Sequence, residues 1–111
     1  MKLAIIIYSN DAETIWNAFR LANTAYAFDD ESTVFLLGKG VESASVDSIK
    51  FDVREQMDMF RKAGGRMIGC GVCCDTREKE MPFIKDDLDC ETGSMRTLLT
   101  LIKENDKILT F

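Results

Sequence analysis

The chain opens on an unbroken apolar, β-branched run, Leu3-Ala-Ile-Ile-Ile-Tyr8, with no polar residue on either side of a would-be pleat. Such a run is how a strand covered on both faces reads, as in a parallel sheet. The pattern then changes period. After Ser9-Asn10, with Asn10 placed to cap and Glu13 three residues on, Ile15, Phe19, Ala22 and Tyr26 recur at helical spacing, which predicts an amphipathic helix ending near Asp29-Asp30. Ser32–Leu37 is a second buried strand, stopped by Gly38-Lys39-Gly40. The stretch Val41–Phe51 is weakly patterned and reads as loop with room for a short helix. Asp52 with Glu55 caps a short helix carrying Met57, Phe60 and Ala63, which Gly64-Gly65 closes. Arg66–Gly69 is a third short strand. Glu78–Asp89, which holds Pro82, reads as surface connection, with a strand-like piece conceivable at Pro82–Ile84. Thr92-Gly93-Ser94 opens a last helix with Met95, Leu98, Leu99 and Ile102 on one face, and Lys107–Phe111 is a terminal strand.

Strands alternating with helices predict an α/β fold: a three-layer α/β/α arrangement around a mostly parallel sheet of about five strands, flavodoxin- or Rossmann-like. Neither a repeat nor a composition break divides the 111 residues, so residues 1–111 are expected to form a single domain. Strand order is not written in these patterns. In such folds chemistry sits beyond the carboxyl ends of the strands. Three segments meet that description: Ser9-Asn10-Asp11, Gly38-Lys39-Gly40 and Gly69-Cys70-Gly71.

Composition narrows the chemistry. Lys and Arg total 14 against 19 Asp and Glu, a formal charge of −5, and the basic residues are scattered, which argues against nucleic-acid binding. There is no histidine, so Ser-His-Asp and Cys-His catalysis and any imidazole-bound zinc are excluded within this chain. No apolar run reaches the ~20 residues that span a bilayer, and the apolar start is too short for a cleavable signal; a soluble cytoplasmic protein without membrane association is expected. Gly38-Lys39-Gly40 lacks the strand–GxxxxGK[ST]–helix order of a phosphate loop, which leaves nucleotide binding a minor alternative.

Four cysteines remain, three of them within five residues: Cys70, Cys73, Cys74 and, later, Cys90. Cys70 lies between Gly69 and Gly71, after a strand and before a helical turn. Close-approaching backbone N–H groups, the partial positive charge of a helix start, and Arg77 folding back over the loop would each favour a thiolate. Cys70 could otherwise be a small buried hydrophobe, and Arg77 a solvated partner of Glu78 or Glu80. Cys70 and Cys73 form a C-x-x-C, the spacing of dithiol redox sites and of half a zinc site. No second C-x-x-C exists, and adjacent Cys73-Cys74 cannot easily face one ion, so neither metal nor other cofactor is expected. Cys74 and Cys90 read as packing residues or spare thiols, with Cys73 and Cys74 as accessory or resolving candidates. Asn10, Gly38 and Gly40 form the candidate rim.

With these segments in view, the chain resembles the DsrE/DsrF-like sulfur-relay family. The resemblance runs from the apolar strand and Ser9-Asn10-Asp11, through the Ala-rich helix (Ala18, Ala22, Ala25) and Val34–Val41, to Gly65–Arg77 and Asp106–Phe111. The family pattern puts a cysteine after the third strand and an arginine seven residues later, often followed by glycine. Cys70 and Arg77 match; residue 78 is Glu, a departure. The resemblance implies a DsrE-like fold, Cys70 as the site of a persulfide with Arg77 as electrostatic support, sulfur donor and acceptor proteins as partners, and homo-oligomers, trimers or hexamers, or assemblies of paralogues. The activity implied is a sulfur carrier or sulfurtransferase subunit. The alternatives are a dithiol redox or thiol-sensing module using Cys70 and Cys73, or a non-catalytic binding subunit.

Overall fold

A computed structural model describes residues 1–111. Five strands form one sheet: β1 (Lys2–Ile7), β2 (Glu31–Leu36), β3 (Arg66–Cys70), β4 (Glu91–Gly93) and β5 (Lys107–Thr110). Their order is β4-β3-β2-β1-β5, and every pairing is parallel. The sheet is thus fully parallel, and four of its strands are those read from the apolar runs. The remaining one, β4, corrects the reading. It falls on Glu91-Thr92-Gly93, just before Ser94 caps the last helix, while Pro82–Ile84 holds no strand. An edge strand three residues long carries no alternation, which is why the pattern misses it.

The helices are α1 (Ala12–Ala27), α2 (Val53–Lys62), α3 (Gly71–Asp75), α4 (Ile84–Leu88) and α5 (Met95–Glu104), with a 3-10 helix over Gly38–Ser45. The first helix is capped by Asp11, not Asn10: the Asp11 carboxylate accepts the Thr14 N–H at 3.0 Å and the Thr14 hydroxyl at 2.9 Å. These bonds hold the Asp11 carboxyl below the usual range. Asp52 caps α2 as expected, accepting the Glu55 N–H at 3.0 Å. Gly64, at φ +90°, ends that helix region in the left-handed conformation that glycine tolerates best.

Helices α1 and α2 pack together on one face of the sheet, with Phe19 and Phe60 edge to face at 5.9 Å and the Asn23 amide donating to the Gln56 carbonyl at 3.1 Å. The Arg61 guanidinium on α2 donates to the Leu88 carbonyl, which ties α4 to the same side. The chain steps from β1 to β4 in one direction, then crosses back to β5 at the far edge, so α5 is carried to the opposite face. There Gly93 lets Thr97 of α5 and Ile68 of β3 come together over the sheet, because a Cβ at Gly93 would lie 2.5 Å from Ile68 Cγ2. The buried center is aliphatic and aromatic: Ile5, Ile7, Phe19, Val34, Phe35 and Phe60 are each fully buried.

One expected helix face divides in two. Leu98 and Leu101 point inward, whereas Met95, Leu99 and Ile102 stay 59%, 51% and 43% exposed. The four residues read as one stripe belong to two, since positions 98 and 101 already fill the helix's contact with the sheet.

Candidate functional site

Because β1, β2 and β3 are neighbours running in parallel, their carboxyl ends deliver the three anticipated segments side by side. Cys70 is the last residue of β3 and the cap residue of α3, at φ −66° and ψ 118°. Its side chain is 2% exposed. Burial pushes its thiol pKa up, and the Cys73 side chain within hydrogen-bonding reach adds to this; backbone N–H groups of Cys73 and Val72 pull the other way without reversing it. Burial thus works against the stabilised thiolate that the loop's composition suggests. The physical reason is visible in the surroundings. Helix α3 is five residues long, too short to sum much dipole, and the nearby guanidinium is engaged elsewhere.

Arg77 does fold back over the loop. Its Nη1 donates to the Cys73 carbonyl at 3.0 Å. Its Nε donates to Glu42 Oε2 at 2.8 Å, so the ion pair is with Glu42 of the 3-10 helix and not with Glu78 or Glu80. Both members are about three-quarters buried, at 24% and 25% side-chain exposure, which screens the pair less than a surface one. Arg77 thus clamps α3 to the segment after β2. Sequence reasoning misses Glu42, which sits 35 residues away in a weakly patterned stretch.

Cys73 is the half-buried sulfur of the group. Its Sγ accepts the Gly38 N–H at 3.2 Å. Its carbonyl accepts the Thr76 hydroxyl at 2.9 Å as well as Arg77. Gly38, at φ +55°, turns the chain so that this N–H faces the sulfur. Beyond it, Asn10 and Gly38 line an open depression of about 660 Å³ with Tyr8, Ser9, Leu37 and Lys39. Gly40 stands apart from that rim. It is buried, and a Cβ there would strike the Ile7 carbonyl, so its glycine serves packing. Gly69 and Gly71 likewise make room for neighbours: a Cβ would sit 3.3 Å from Leu88 Cδ1 at Gly69 and 2.8 Å from Thr92 Cγ2 at Gly71.

Cys74 points away from this group. It is buried and lines a small cavity with Gly69, Leu88 and Cys90. Burial raises its pKa, with Lys85 opposing. Burial also pushes the Cys90 thiol up to about 11, partly offset by Arg61. All four cysteines are free thiols, and no three Cys, Asp or Glu side chains converge to hold a metal ion.

Fold and site together define a small, fully parallel α/β domain with a thiol pair at the carboxyl end of its third strand. The chain belongs to the DsrE/DsrF-like family, whose model matches residues 1–111. It is 30% identical over its whole length to the whole of a Methanocaldococcus jannaschii protein named "Uncharacterized protein MJ0989". Its fold is similar to the crystal structure of the ychN protein from E. coli, with a TM-score of 0.79 and 19% identity over all of both chains. It is also similar to BT1422 from Bacteroides thetaiotaomicron, described as a conserved protein of unknown function, with a TM-score of 0.79 and 20% identity over 99% of this chain and 94% of that one. No helix is long and apolar enough to cross a membrane.

Proposed function

We propose that the protein is a sulfur-carrier or sulfurtransferase subunit that holds a persulfide on Cys70 and relays it between protein partners in the cytoplasm. The observation that carries the reading is the position of Cys70, at the carboxyl end of β3 and the start of α3, in a chain that matches the DsrE/DsrF-like family throughout. The family supports a sulfur-relay role in general; the position supplies the sulfur. In the loading step the Cys70 thiolate attacks the outer sulfur of a donor persulfide, R–S–SH. The donor S–S bond breaks, R–S⁻ leaves, and Cys70–S–SH forms. In the delivery step an acceptor thiolate takes that outer sulfur, and Cys70 returns as thiolate. No cofactor enters either step. Arg77 is a positioning residue: it fixes the Cys73 carbonyl and, through Glu42, the loop after β2.

The test is the intact mass of the protein after exposure to a persulfide donor, followed by peptide mapping. An added sulfur that reductant removes, assigned to Cys70 itself by fragmentation of the Met67–Arg77 peptide, supports the reading. An adduct confined to Cys74 or Cys90 refutes it.

Assembly from copies of the chain is part of this proposal. The outward stripe Met95, Leu99 and Ile102 is an exposed apolar strip on α5, and Leu109 on the edge strand β5 is also 37% exposed. Such a strip costs hydration when left in water, at roughly 25 cal/mol per Å². Leu99→Lys combined with Ile102→Lys is expected to lower the molar mass measured by light scattering to that of one chain. An unchanged oligomer would move the interface elsewhere.

A further inference from the structure

Cys73 has no part in loading or delivery, yet it is the best-held sulfur of the loop. It follows Cys70 by three residues across the first turn of α3, where side chains at that spacing share a face. It lies close enough to the Cys70 thiol to help push that thiol's pKa up. Its Sγ accepts the Gly38 N–H at 3.2 Å, a contact that fixes where the sulfur lies. It is half-buried where Cys70 is 2% exposed, and the segment that holds it also lines the open depression over Gly38 and Lys39. Cys74, the other neighbour in sequence, lines the cavity beside Leu88 and Cys90.

The geometry points to a second activity at this site: Cys73 cleaves the persulfide on Cys70, releasing hydrosulfide and leaving a Cys70–Cys73 disulfide. This rests on the reading of Cys70 as the persulfide site. The Cys73 thiolate attacks Sγ of Cys70–S–SH. A bond forms between the two protein sulfurs, the bond to the outer sulfur breaks, and that sulfur leaves as HS⁻ with the electron pair. The two cysteines are oxidised by two electrons together, and the outer sulfur is reduced to sulfide. One thiol-class reductant, such as a dithiol, then restores both cysteines. The outcome at Cys70 is decided by which nucleophile arrives. An acceptor thiolate takes the outer sulfur intact, whereas in its absence the tethered Cys73 attacks the inner one, with the advantage that proximity gives an intramolecular reaction.

The experiment is a single turnover with glutathione persulfide and no added reductant, on the full chain and on Cys73→Ser. Free sulfide is assayed after the donor is removed, and peptides are mapped. The wild-type chain is expected to release sulfide and to lose the mass of two hydrogens in a Cys70–Cys73 linked peptide. Cys73→Ser is expected to retain the persulfide on Cys70 and to release sulfide at least about tenfold more slowly, since a serine hydroxyl is far less nucleophilic than a thiolate. A wild-type chain that holds its persulfide as long as the variant overturns the inference and leaves the carrier reading standing, as does a disulfide from Cys70 to Cys74. No sulfur on Cys70 in either chain overturns both.

Discussion

Replacing Cys70 with serine is expected to reduce sulfur loading to background, a loss of at least about a hundredfold, because a hydroxyl oxygen neither attacks a persulfide at neutral pH nor carries the transferred sulfur. The variant should fold. Serine is close to cysteine in size, and position 70 caps α3, where serine is favoured. Circular dichroism of the variant separates loss of fold from loss of sulfur. Loading that persists at the wild-type rate in a folded variant would remove Cys70 from the mechanism. The wild-type rate should also carry a signature in pH. Burial raises the Cys70 pKa above that of an ordinary thiol, and only the thiolate reacts. The reactive fraction is therefore smaller than for a free cysteine at neutral pH and grows as pH rises. Loading should climb roughly tenfold per pH unit from about pH 7 and keep climbing where a free thiol, with pKa near 8.5, has levelled off. A rate already flat at pH 7 would show a thiolate at rest and contradict the upward push that burial gives the Cys70 thiol. The same argument assigns partners a task. A donor that desolvates or displaces α3 must expose the sulfur, so productive loading by a docked protein should outpace loading by a small persulfide at the same pH.

Much of this architecture is legible in the residues, and the parts that are not have physical causes. The β-branched run at Leu3–Ile7 and the run at Val34–Leu36 declare buried parallel strands because both faces are covered, leaving no alternation to misread. The position of Cys70 at a strand end follows from the strand itself. What escapes is set by pairing at a distance. Strand β4 is held by its register with Ile68, Gly69 and Cys70, not by any pattern of its own. Glu42 finds Arg77 only because β2 and β3 are neighbours. The cap at Asp11 displaces Asn10 because Thr14 offers both an N–H and a hydroxyl to one carboxylate. The upward shift of the Cys70 thiol escapes for the same reason: glycines and a downstream arginine are visible in sequence, but burial and the counter-charge on Glu42 are not. Residue type marked the candidate site, and the packing around it pushes its thiol pKa up.

That packing makes Gly40 the position where one methyl group should cost most. Gly40 is buried in the 3-10 helix, its N–H donates to the Leu37 carbonyl at 2.9 Å, and its carbonyl accepts the Ser43 hydroxyl at 2.6 Å. A Cβ there would run into the Ile7 carbonyl, the same oxygen that accepts the Leu37 N–H at 2.9 Å where β1 meets β2. The obstacle is backbone on the central strand and has no rotamer to escape into. Gly40→Ala is thus expected to destabilise the fold by roughly 3 kcal/mol, the upper part of the range for overpacking. For a domain of this size that corresponds to a fall in Tm of more than about 10 °C. Gly38→Ala supplies the contrast. It has open space around its Cβ but a φ of +55°, so only the left-handed backbone penalty applies, on the order of 1 kcal/mol. Chemical denaturation of the two variants distinguishes them. Equal midpoints would mean that the contact with Ile7 relaxes freely, and that the loop presenting the Gly38 N–H to Cys73 is not braced against β1. A midpoint that drops chiefly for Gly40→Ala would show the brace, and with it why the second sulfur of the site is held in place by a strand that carries no chemistry of its own.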